Sequence, residues 1–107
     1  EALPAMSPAV STALYRIARE ALLNARRHAK AQHVRLTLKA DTTGGSPTVR
    51  LRVEDDGVGF DTGVRASPEH YGHAMMEEQA TVLGGSVLIE SELGHGTHID
   101  VSVPTHE

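Results

Sequence analysis

The 107-residue chain contains no cysteine. That excludes disulfide staples, a thiolate metal site and a thiol nucleophile. Aromatic residues make up only 3%, too few for the stacking platforms that hold single-stranded nucleic acid. Ten Lys and Arg stand against 14 Asp and Glu, a net charge of −4 with seven histidines counted neutral. No basic field therefore draws the chain to nucleic acid. No apolar run reaches the ~20 residues of a membrane span, and Glu1 to Pro8 lacks the basic-then-apolar order of a secretory signal. What remains, at 39% hydrophobic and 22% charged residues, is the composition of one soluble domain over residues 1–107, long enough to bury a single core.

Ser7-Pro8 reads as a helix start, a capping hydroxyl followed by a residue whose fixed φ suits the first turn. Val10, Ala13, Leu14, Ile17, Ala18, Ala21 and Ala25 then recur at steps of three and four. That spacing predicts one apolar stripe on a helix running to about Lys30. After it the period falls to two. Val34, Leu36, Leu38 and Ala40 alternate with polar residues, as do Val49, Leu51 and Val53, and Asp41 to Pro47 between them is turn-forming. A hairpin with one dry and one wet face is expected.

Asp55 to Phe60 reads as a glycine-bearing loop, and Thr62 to Gly72 as a mobile loop of little periodicity. A second helix is expected from about His73 to Leu83, with Met76, Ala80 and Leu83 on one face and Gly84-Gly85 ending it. Val87 to Ser91 and Ile99 to Val103 alternate around a Gly94-His95-Gly96 turn. The order helix, hairpin, loop, helix, hairpin argues for an α+β two-layer sandwich, with helices covering one face of a mostly antiparallel sheet.

Three places carry more polarity and glycine than a core needs. Glu20, Asn24 and Arg27 follow at steps of four and three, so they share a helix face along the edge of the apolar stripe. A carboxylate, an amide and a guanidinium there suit a cation, a water and a phosphate; the plain alternative is a solvated helix face. Asp55-Asp56-Gly57-Val58-Gly59-Phe60 directly follows a strand. An acidic side chain at a strand end can accept from an exocyclic amine, and glycines beside it let a flat ring approach the backbone. Asp-Gly is equally a favoured turn pair. Gly94-His95-Gly96-Thr97 offers free amides and a hydroxyl to a phosphate or a neighbouring loop, or simply turns a hairpin. The histidines show no ligand spacing, and no Gly-x-Ser-x-Gly elbow or Walker A loop occurs.

Taken in order, these segments resemble the catalytic domain of sensor histidine kinases. Tyr15 to Ala29 is similar to their N box (about residues 15–30), especially in the branch related to nitrate and membrane-fluidity sensors. Residues 55–60 resemble the first glycine box, about 61–75 the ATP lid, Met76 to Gly85 the helix after it, and 94–97 the last glycine box, with Val101-Ser102-Val103-Pro104 as the final strand. The resemblance implies the Bergerat fold, with ATP and Mg²⁺ between the helices and a lid. It further implies that Glu20 is catalytic, polarising the attacking group or a metal-bound water, and that Asn24 ligates the metal. Arg27 would lie near the phosphates, and Asp55 would take the adenine amine beside Gly57 and Gly59. Gly72 would open the phosphate-binding segment, with His73 in reach of the phosphates, and Gly96 and Thr97 would floor the pocket.

Met75 stands where the wider family carries a second glycine. The implied partners are a dimerisation domain bearing the phosphoacceptor histidine, which no segment here matches, and a cognate response regulator; the parent protein is expected to be a cytoplasmic or membrane-anchored homodimer. The alternatives on the same fold are a regulatory nucleotide-binding module and an anti-sigma-type Ser/Thr kinase.

Overall fold

The N-terminal helix is set by its cap. In a computed structural model of the chain, the Ser7 hydroxyl accepts the Val10 N–H at 3.3 Å, and Pro8 opens α1 (Pro8–Arg27) at the position where a missing N–H costs nothing. The structure describes residues 5–27, 31–41, 47–58, 68–91 and 94–105, with the main chain alone at 27 and 68–72. The remaining elements are β1 (Val34–Asp41), β2 (Thr48–Asp55), α2 (Pro68–Val82), β3 (Ser86–Ser91) and β4 (Thr97–Pro104). None of the described helices is long and apolar enough to cross a membrane.

The strands form one antiparallel sheet in the order β1-β2-β4-β3, and both helices lie on one face of it. This is the two-layer α+β sandwich that the alternating patterns imply. The expected stripe on α1 is buried at Val10, Ala13, Leu14, Ile17, Ala21 and Ala25, with Ala18 packed at its edge. It meets Val49, Leu51 and Val53 from β2 and Ile99, Val101 and Val103 from β4, while α2 adds Met76, Ala80 and Leu83. Gly84 and Gly85 end α2 in a Schellman motif. The Gly85 N–H returns to the Ala80 carbonyl at 2.8 Å and the Gly84 N–H to Thr81 at 3.0 Å, with Gly84 at φ +79°.

Two expectations need correction. The second helix begins at Pro68, five residues before His73, so residues 68–72 are helical and the stretch read as loop up to Gly72 is shorter at this end. Pro68 after Ser67, with Glu69 in the first turn, is itself a helix-start signal; Gly72 masked it, because a glycine inside a helix costs only about 1 kcal/mol and is tolerated. The second correction concerns β1, whose apolar alternation does not make a dry face. Val34 and Leu36 remain 38% and 45% exposed, and only Leu38 packs on the core. α1 lies over the middle of the sheet, and β1 is its edge.

Candidate functional site

Two sets of hydrogen bonds fix how α1 lies on the sheet. At its start, the Ser7 N–H donates to the Thr105 carbonyl just past the end of β4. Beyond its end, the backbone N–H groups of Gln32 and His33 donate to Asp56 Oδ1 at 2.8 and 2.9 Å, and His33 Nδ1 lies 2.7 Å from Asp56 Oδ2. The helix therefore runs from the Thr105 end of the sheet toward the Asp55 end. Its last two turns, which carry Glu20 and Asn24, arrive over the strand ends that hold the two glycine segments.

At that end, register places four residues in one row on the helix-facing side. Val34 pairs with Asp55, Asp55 with Thr97, and Thr97 with Ser91. Asp55 is the last residue of β2 rather than the first of a loop, and Thr97 is the first of β4. The Asp55 Oδ1 accepts the Gly57 N–H at 2.9 Å, and the carboxylate also accepts the Thr97 N–H. Burial raises the Asp55 pKa above the usual carboxylate value, the neighbouring Asp56 adds to the rise, and the two N–H donors oppose it. A half-buried carboxylate that takes two backbone N–H groups still has lone pairs to offer an incoming donor.

The two glycine segments are built against each other. The Gly94 N–H donates to the Val58 carbonyl. A Cβ on Gly96, which sits at φ +81°, would overlap the Asp55 carbonyl oxygen. Thr97 is 4% exposed, and its hydroxyl lies 2.9 Å from that of Ser91. Above this floor, Glu20 and Asn24 are both partly buried on α1. The Asn24 Nδ2 is buried with no hydrogen-bond partner among the described residues. An orphaned amide of this kind costs roughly 1–3 kcal/mol, and its natural resolution is a ligand that supplies the missing partner.

The remaining expected site residues are placed less directly. Gly57 is buried beside Asp55; Gly72 lies within α2. His73 is 8% exposed and shares the stripe of Met76 and Ala80, so its ring is on the packing side of the helix. Met75 also packs against the core. The Arg27 side chain and Gly59 lie outside the described residues, as does the stretch 61–67. A groove of about 430 Å³ between the helices, lined by Thr12, Ala13, Arg16, Glu78 and Val82, belongs to the other half of the helical layer and contains none of these residues.

Asp56 and Ser91 were not among the expected site residues. Asp56 reads as the spare half of an acidic pair, yet it ties the chain after α1 to the first glycine segment. Its pKa is lowered, chiefly by the His33 backbone N–H and then by the His33 side chain. A lowered carboxylate pKa contributes stability that is present above the unfolded value of 3.8 and lost as pH falls through the folded one. The melting-temperature advantage of wild type over Asp56→Asn is therefore expected to hold from pH 7 to about 4 and to shrink below that. An advantage constant down to pH 2.5 would show that the carboxylate charge plays no part.

Residues 9–107 match the family of histidine kinase-, DNA gyrase B-, and HSP90-like ATPases. The chain belongs to that family. Among its relatives is the sensor histidine kinase LiaS of Bacillus subtilis, 41% identical over 101 residues, which take in 94% of this chain and 26% of LiaS. The chain spans about a quarter of the length of the curated relatives it matches. The histidine kinase domain of the blue-light activated kinase EL346 from Erythrobacter litoralis superposes with TM-score 0.68 at 23% identity, over 91% of this chain and 45% of that one. Full-length ShkA in complex with AMPPNP superposes with TM-score 0.69 at 27% identity, over 86% of this chain and 21% of that one. Within the family the chain therefore stands with the ATP-binding domains of sensor histidine kinases, as its motif order implies.

Proposed function

We propose that this chain is the catalytic domain of a two-component sensor kinase of the nitrate- and fluidity-sensor type, which passes the γ-phosphate of ATP to a histidine on a separate dimerisation domain. The observation that supports the reading is the pairing of Asp55 with Thr97 at the end of the sheet toward which α1 runs, the helix that carries the unpartnered Asn24 Nδ2. In this reading the Asp55 carboxylate accepts the adenine amine, and Gly57 and Gly59 leave room for the ring. Gly96 and Thr97 form the floor. Asn24 would hold Mg²⁺, and Arg27 and Gly72 would line the phosphate end. Glu20, one helical turn before Asn24, polarises the incoming group.

The unpartnered Asn24 Nδ2 is a donor suited to an acceptor such as a phosphate oxygen. The Oδ1 of the same amide is the atom that would hold Mg²⁺, a cation that takes oxygen ligands and is usually bound by few protein groups. Magnesium, when bound, neutralises charge on the transferring phosphoryl group. The protein's own work is positioning, since phosphoryl transfer asks for no protein nucleophile. The phosphoacceptor and the response regulator belong to the rest of the parent protein and its pathway, and an ATP requirement puts this domain on the cytoplasmic side.

Calorimetric titration with AMPPNP, with and without Mg²⁺, tests the site, and transfer of labelled γ-phosphate to a supplied dimerisation domain tests the activity. Saturable binding strengthened by Mg²⁺, followed by transfer to histidine, is the expected result. Binding without transfer would favour a regulatory nucleotide module, and transfer to serine or threonine an anti-sigma-type kinase. No binding at all would overturn the reading.

A further inference from the structure

Ser91 closes β3 at the far end of the row that holds Asp55 and Thr97. Its hydroxyl lies 3.1 Å from the Gly96 carbonyl oxygen and 2.9 Å from the Thr97 hydroxyl. A serine hydroxyl has one proton. The Gly96 oxygen can only accept, so the assignment that makes both contacts hydrogen bonds gives it the Ser91 proton. The contact with Thr97 is then a hydrogen bond only if Thr97 is the donor and the Ser91 oxygen accepts. Thr97 is left with lone pairs and no proton for anything else. The neighbouring Asp55, ionised, also offers acceptors alone.

We infer that Ser91 is a positioning residue that turns the Thr97 hydroxyl into an obligate acceptor, and that this orientation makes the site select a 6-amino purine over a 6-oxo purine. A 6-amino group brings two N–H donors, one for the Asp55 carboxylate and one for Thr97 Oγ1. A 6-oxo group sets a carbonyl against two acceptors, and buried polar groups left unpaired in this way are a strong source of rejection. The inference rests on the nucleotide reading and extends it, because that reading assigns the amine to Asp55 only. A purely structural Ser91, tying β3 to the Gly96 turn, would give the same fold and a different specificity.

The test is the affinity of the full chain for ATP and for inosine triphosphate, measured by calorimetry on wild type, Ser91→Ala, Ser91→Thr and Thr97→Val. Wild type is expected to prefer ATP. Ser91→Ala releases the Thr97 O–H to donate to a 6-carbonyl, so the ATP-to-inosine-triphosphate ratio should fall about tenfold. Ser91→Thr keeps the relay and the wild-type ratio. Thr97→Val, isosteric and without an acceptor, should lower the ratio even with Ser91 in place, which keeps the test decisive if Ser91→Ala folds poorly. Equal weakening of both triphosphates by Ser91→Ala, or an unchanged ratio in Thr97→Val, overturns the inference. A wild type that binds both equally overturns it too while the nucleotide reading stands; a wild type that binds neither removes both.

Discussion

Asp55→Asn is expected to weaken ATP binding by roughly 100-fold while leaving thermal stability at neutral pH unchanged or raised. The binding loss follows from what the Asp55 carboxylate does in the proposed site. A hydrogen bond to a charged acceptor contributes about 1.5–3 kcal/mol net, which is roughly 10- to 150-fold in affinity. The amide adds a mismatch, because its NH₂ either faces the incoming amine or displaces the oxygen that takes the Gly57 N–H at 2.9 Å. The stability half of the result runs the other way. Burial raises the Asp55 pKa in the folded state, with Asp56 as a lesser contributor. For a raised carboxylate pKa, stability is full below the unfolded value of 3.8 and falls as pH rises through the folded one. At pH 7 the ionised side chain therefore opposes folding, and a neutral isostere removes that opposition. Differential scanning calorimetry at pH 7 beside AMPPNP titration reads both halves. A variant that loses binding and melts well below wild type would mean that Asp55 is a structural residue at the strand end, and that the binding loss is secondary.

The opposed signs at Asp55 and Asp56 also show what a sequence can and cannot disclose. Motif order and period made legible the helix with its cap at Ser7, both hairpins, the glycine pair ending α2 and the side of α1 that carries Glu20 and Asn24. Each depends on a local rule that the neighbouring residues alone satisfy. Which aspartate is buried and which ties down the end of α1 depends on register, and Asp55-Asp56 is a symmetric pair until β2 meets β4. The same holds for Ser91. Nothing near it in the chain marks it as more than an alternating polar residue, and only the pairing of Ser91 with Thr97 and Thr97 with Asp55 brings it into the row. Exposure of Val34 and Leu36 was illegible for a related reason, since alternation reports which side chains share a face and not whether anything covers it. At Pro68 the information was present, but Gly72 spoke against it.

Gly96→Ala is expected to be the most damaging single-methyl substitution in the site, destabilising the fold by about 2–5 kcal/mol and abolishing measurable nucleotide binding. Two costs combine. An L-residue at φ +81° pays roughly 1–2 kcal/mol for its left-handed conformation. The added Cβ also meets the Asp55 carbonyl oxygen and presses on Asp56, and overpacking against atoms that cannot turn aside costs typically 1–3 kcal/mol. Those atoms are backbone, so relief comes only by parting β2 from β4 where Asp55 faces Thr97, which is where the amine would be read. Gly94→Ala separates the two costs within one turn. Gly94 sits at φ +85°, nearly the same conformation, but a Cβ there meets nothing within 4 Å. It should lose only the conformational part, about 1–2 kcal/mol, and keep its affinity for AMPPNP. Urea unfolding of the two variants beside wild type measures the difference directly. Equal destabilisation would mean that the last glycine segment needs its glycines for backbone conformation alone, and that its close seating against Asp55 does not hold the floor of the site.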